Sequence, residues 1–83
     1  MSPKRLEVAK NRTVGTRQTL KVVEKGTAEL VYVANDAEKH VVKPLVKLCG
    51  DNNVPVVYVD TMEELGKACG IEVKAASAAI VKE

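Results

Sequence analysis

Glu29-Leu30-Val31-Tyr32-Val33-Ala34 is the stretch on which the fold turns. In an extended chain Val31 and Val33 point to one side and Leu30 and Tyr32 to the other, so both faces are apolar. Such a strand belongs in the middle of a sheet that is covered on both sides. Working outward, Val54–Val59 has the same character and predicts a second buried strand. Between the two lies a helical segment capped by Asn35 or Asp36 and running to about Cys49, which Pro44 must kink or restart. Gly50-Asp51-Asn52-Asn53 then reads as a turn. Downstream, Thr61-Met62-Glu63-Glu64 fits a capping box and opens a short helix that ends at Gly70. Ile71–Ala75 follows as a loop with apolar tips, and Ser77–Val81 as the last strand. Upstream, Ser2-Pro3 resembles an N-cap and first-turn proline of a short helix reaching about Lys10. Thr13-Val14 is a short extended piece, and Thr16–Lys25 is a helix stopped by Gly26. The order α-β-α-β-α-β-α-β, with helices crossing between buried strands, predicts an α/β fold in which a mixed sheet lies between helices.

With 83 residues there is room for one core, so residues 1–83 are expected to form a single domain. A composition 46% apolar, with fifteen valines, argues against a disordered chain. No apolar run approaches the ~18 residues of a membrane span, so no membrane is expected as partner. Met1 to Glu7 has no apolar stretch after its charges, so no secretory signal and a cytoplasmic location are expected. Tyr32 and Tyr58 are the only aromatic residues, which disfavours folds that stack several bases on aromatic rings. Any nucleic-acid recognition must run through charge, hydrogen bonds and shape.

The net charge of +2 hides an uneven distribution. Residues 1–25 hold seven basic against two acidic residues, while residues 26–83 hold six lysines against nine carboxylates. A basic end suits an anionic partner at one surface, and equally a solvated face that maintains solubility. Cys49 lies in a stripe with Leu45 and Leu48, and Cys69 follows Ala68, so both read as small buried hydrophobes. One histidine and no CxxC pair leave no zinc set, and no metal or other cofactor is expected. His40 reads as a surface helix residue. Glu63 and Glu64 are adjacent and point to different sides of a helix, where first-turn carboxylates complement the dipole. No nucleophile elbow, Walker loop or dinucleotide fingerprint occurs, so an enzyme is not expected.

The segment Gly15-Thr16-Arg17-Gln18-Thr19-Leu20-Lys21 is the chemically richest. A glycine before a helix start leaves free N–H groups that can hold a phosphate, a weak signal alone. Arg17 can pair with the O6 and N7 acceptors of guanine, and Gln18 can both donate to and accept from a base edge. Lys21 and Lys25 continue one stripe at i, i+4 and i+8 from Arg17, suited to phosphates. An amphipathic helix with a wet basic face would show the same stripe.

Together with Leu30-Val31-Tyr32-Val33-Ala34-Asn35-Asp36, Asn53-Val54-Pro55-Val56, Leu65-Gly66-Lys67-Ala68-Cys69-Gly70 and Ala75-Ala76-Ser77, that segment resembles the kink-turn-binding ribosomal protein superfamily. The likeness covers residues 14–82 and is greatest to its bacterial ribosomal-protein-like branch. It implies a three-layer α-β-α sandwich with a four-stranded mixed sheet. It also implies binding to a kink-turn, in which a Gly-x-Asn-Glu-x-x-Lys segment enters the major groove beside tandem sheared G·A pairs. Gly15 and Lys21 match that pattern, while Arg17 replaces its asparagine and Gln18 its glutamate, with Thr16 between. The superfamily's apolar loop, which covers a flipped-out nucleotide, maps to Ile71, Glu72, Val73, Lys74 and Ala75. Ile71 and Val73 would pack on the base or anchor the loop, and Lys74 stands where relatives often have proline. The expected partner is kink-turn RNA, ribosomal or otherwise, bound by a monomer. The alternative is a protein–protein module of the same fold, a branch that is characteristically acidic.

Overall fold

In the computed structural model, which describes residues 4–82, eight elements alternate along the chain. They are α1 (Lys4–Val8), β1 (Arg12–Val14), α2 (Thr16–Glu24), β2 (Ala28–Ala34), α3 (Lys39–Asp51), β3 (Val56–Val59), α4 (Met62–Ala68) and β4 (Ser77–Val81). The Ser2-Pro3 cap expected for α1 lies outside the described residues. The strands form one mixed sheet in the order β1-β4-β2-β3. β4 runs antiparallel to both β1 and β2, whereas β2 and β3 are parallel and joined through α3. Helices α2 and α3 pack together on one face, and α1 and α4 pack together on the other, which makes a three-layer α-β-α sandwich.

Strand β2 is central, as its two apolar faces require: Leu30 to Ala34 are all buried. Its neighbour β4 supplies Ala78 and Ala79, both fully buried, whose small side chains let the helical layers close on the sheet. Leu6 from α1, Val23 from α2, Leu45 and Cys49 from α3 and Leu65 from α4 complete the core with no exposure. Burial pushes the thiols of Cys49 and Cys69 up from their ordinary range, with the Arg12 guanidinium partly opposing this at Cys69. No helix among the described residues is long and apolar enough to cross a membrane.

Three sequence expectations are corrected. Val54–Val59 is not a buried strand: β3 begins at Val56 and lies at the sheet edge, with Val57 37% and Tyr58 53% exposed. Apolar content on both faces fits an edge as well as a centre, and pairing order is decided elsewhere in the chain. Pro44 does not start a new helix, since α3 runs from Lys39 to Asp51 through it. The bond it removes belongs to the carbonyl of exposed His40, which water can satisfy. Asn35 and Asp36 do not cap α3, whose N-cap is Glu38 with no side-chain bond. Asp36 instead accepts from the Met62 N–H at 2.8 Å, so it serves the start of α4.

Candidate nucleic-acid interface

Helix α2 begins at Gly15, whose φ of 91° and ψ of 152° fall in a region open essentially to glycine alone. A glycine cap has no side chain to occupy the first free N–H groups, and the space around it is open. The Gly15 N–H donates to the Ser77 carbonyl at 2.8 Å, and the Thr16 hydroxyl meets the Ser77 hydroxyl at 2.8 Å. A second hydroxyl pair, Thr13 with Thr19 at 2.9 Å, holds the next turn to β1. Thr19 and Ser77 are fully buried. Two polar clamps thus fix the position and rotation of α2 on the sheet.

That rotation turns Arg17, Gln18, Lys21 and Lys25 outward. All four are exposed, and none of their side chains has a hydrogen bond or ion pair among the described residues. Arg17 and Gln18 stand in the first turn, beside the positive end of the helix dipole, whereas Lys21 lies in the last turn and Lys25 at the C-cap. The other arginines of the basic N-terminal region are occupied. Arg5 pairs with Glu29. Arg12 donates to the carbonyls of Leu6 (3.0 Å), Glu7 (3.3 Å) and Cys69 (3.1 Å), closing the ends of α1 and α4. Of the three arginines in the basic end, two are therefore tied to protein groups and Arg17 alone is free among the described residues.

The loop 71–75 lies at the same end of the sheet, because it leads directly into Ser77. It is attached to α4: the Ile71 N–H donates to the Gly66 carbonyl (3.1 Å) and the Ala75 N–H to the Met62 carbonyl (3.0 Å). Gly66 is a close-approach glycine, since a Cβ there would lie 2.1 Å from the Val73 carbonyl oxygen. Ile71 is half-buried against the core, whereas Glu72, Val73 and Lys74 are exposed, Val73 at 68%. Ala75 is buried at 3%, so its side chain faces the core and only its backbone could meet a ligand. The structure thus gathers Gly15, Thr16, Arg17, Gln18 and Lys21 on one helical layer and residues 71–74 at the other, with Ser77 between. Ser77 and Thr19 were missed by reading apolar stripes. The available signal was Thr16, Thr19 and Val23, which share the inward face of α2 at helical spacing.

The free cations, the uncapped helix start and the tethered loop open on one edge of the sandwich, the layout of a binding protein. The model of the ribosomal protein L7Ae/L30e/S12e/Gadd45 family matches residues 2–83, and the chain belongs to that family. It is 51% identical over 70 residues to a protein of Caldanaerobacter subterraneus named as RNA-binding, covering 84% of this chain and 85% of that one. A Halalkalibacterium halodurans protein, also named as RNA-binding, is 42% identical over 82 residues, covering 99% of this chain and 100% of the relative. Among solved structures, the 15.5kD RNA binding protein of Giardia lamblia matches with a TM-score of 0.86 at 34% identity, over 96% of this chain and 68% of its own.

Proposed function

We propose that this protein binds RNA at a kink-turn and stabilises its bent form. The observation that carries the reading is α2, where Gly15 exposes the helix start and Arg17, Gln18 and, one turn on, Lys21 stand outward without hydrogen-bond or ion-pair partners among the described residues. Arg17 and Gln18 read purine edges beside the G·A pairs, and Lys21 and Lys25 meet phosphates. Ile71 and Val73 cover an unstacked base, with Lys74 on the adjoining backbone. The names of the relatives agree with RNA as the partner. The protein binds the kinked conformer in preference to the open one, which shifts a population and needs no chemistry, no cofactor and no second copy.

A kink-turn RNA labelled at the ends of its two stems tests this by energy transfer. Addition of protein should raise transfer in the intact RNA. The same RNA with its G·A pairs replaced by Watson–Crick pairs should show no rise and weaker binding. Equal binding to both would reduce the reading to general phosphate attraction.

A further inference from the structure

The opposite flank of the molecule carries a second surface that the RNA reading does not use. β3 is an edge strand, and among the described residues no strand pairs with its outer side. The Val31 N–H donates to the Pro55 carbonyl (3.0 Å) and the Asn35 N–H to the Val59 carbonyl (2.7 Å). In a parallel ladder the inward residues alternate, so the N–H and C=O groups of Val56 and Tyr58 point out of the sheet. Edge strands are normally protected by charge, proline, a bulge or brevity. β1, the other edge, has three residues and begins with Arg12, but Val56-Val57-Tyr58-Val59 carries no charge at all.

Beside this edge runs a groove between α3 and the sheet. Val33, Val42, Val46 and Tyr58 form its apolar lining, Lys39 and Lys43 stand along it, and no carboxylate lines it. Lys47 extends the row, so three lysines recur at i, i+4 and i+8, about 6 Å apart along the axis. None of the three is in an ion pair among the described residues. We propose that this flank docks an extended acidic segment of a partner protein, which adds to the sheet as a fifth strand beside β3. Main-chain bonds go to Val56 and Tyr58. Alternate side chains on the α3 side are carboxylates that meet Lys39 and Lys43 while their methylene stems cover the groove. Those on the other side are apolar and pack beside exposed Val57. A second copy of this chain fits worse. Antiparallel pairing of two β3 edges needs a two-fold axis normal to the sheet, which would set two lysine rows against each other on one face.

The probe is an eight-residue peptide alternating glutamate with valine, titrated into the 15N-labelled full chain. Its control has the same composition with the glutamates in one block, which cannot present them on a single face. Binding of the alternating peptide should perturb the amides of Val56 and Tyr58. The variant Lys39→Glu/Lys43→Glu, changed only at exposed positions, should weaken it by on the order of tenfold. Val56→Pro removes an outward N–H and no ladder bond, and should abolish binding with the chain still folded. Should that proline unfold the chain, the double charge variant still decides. Equal binding of the block peptide, or indifference to the charge reversal, would overturn the proposal. So would an RNA oligonucleotide that displaces the peptide and shifts the same amides, since the flank would then be a nucleic-acid surface.

Discussion

Position 18 is where the chemistry of the interface departs furthest from the pattern it resembles. Glutamate would face the two donors on guanine's Watson–Crick edge with two strong acceptors, whereas Gln18 offers one neutral oxygen. A charge-assisted bond contributes about 1.5–3 kcal/mol, and the repulsion of an exposed carboxylate by phosphates several ångströms away is weaker after screening. Gln18→Glu should therefore tighten binding to an RNA with intact G·A pairs and weaken binding to one without them. Equal weakening on both RNAs would show that position 18 never meets a guanine edge. The side chains of neighbouring Arg17 and Lys21 make no hydrogen bond or ion pair among the described residues. Arg17→Ala and Lys21→Ala should each change stability by less than about 0.5 kcal/mol. Arg17→Ala should still cost roughly 1–3 kcal/mol of RNA affinity, and a calorimetric scan beside a gel shift checks both halves. These outward residues were legible in the sequence because their polarity interrupts an apolar helix at regular spacing. Ser77, Thr19 and Arg12 were not. A buried hydroxyl and a guanidinium spent on carbonyls look like surface residues until the partners that satisfy them are known.

At the scale of elements, what could be read was what is local. The Thr61 cap accepts from the Glu64 N–H at 3.0 Å within its own turn, and four residues sufficed to predict it. Asp36 reaches 26 residues along the chain to Met62, and no local rule assigns such a cap. The same limit explains β3, whose edge position follows from β4 inserting between β1 and β2. The loop 71–75 depends on its packing over Gly66, seven residues before Val73. Placing a methyl group there drives it into backbone, which a helix and a tethered loop can relieve only by moving apart. Gly66→Ala should therefore cost about 1–3 kcal/mol of stability through overpacking, partly offset by the roughly 1 kcal/mol better helix propensity of alanine. Its effect on RNA should exceed its effect on folding. At a temperature where both variants are folded, Gly66→Ala should bind a kink-turn more weakly than Leu45→Ala, a core truncation in α3. Equal affinities for the two would show that the position of the loop is irrelevant to binding.

Across the whole molecule, the count of positive charges overstates what a nucleic acid would meet. Arg5 is paired with Glu29 at the surface and Arg12 is spent on backbone carbonyls, while Lys39, Lys43 and Lys47 lie along the β3 flank of α3. The cations left at the candidate interface are Arg17, Lys21, Lys25 and Lys74, of which Arg17 is assigned to a base edge. Each phosphate neutralised on a duplex contributes about −0.9 to the slope of log affinity against log salt, so two to four contacts give roughly −2 to −4. General coating that engages about nine of the basic groups would steepen this to about −8. The α3 lysines separate the two cases within one experiment. If RNA stays on the α2 side, Lys39→Glu/Lys43→Glu leaves the slope unchanged and shifts affinity only through the weak long-range field. Lys21→Ala, in contrast, should flatten the slope by about one. Filter binding of a kink-turn RNA at several salt concentrations, with wild type and these two variants, measures all three slopes. A slope that flattens on reversing the α3 charges would place RNA on both flanks and leave no free edge for a protein strand.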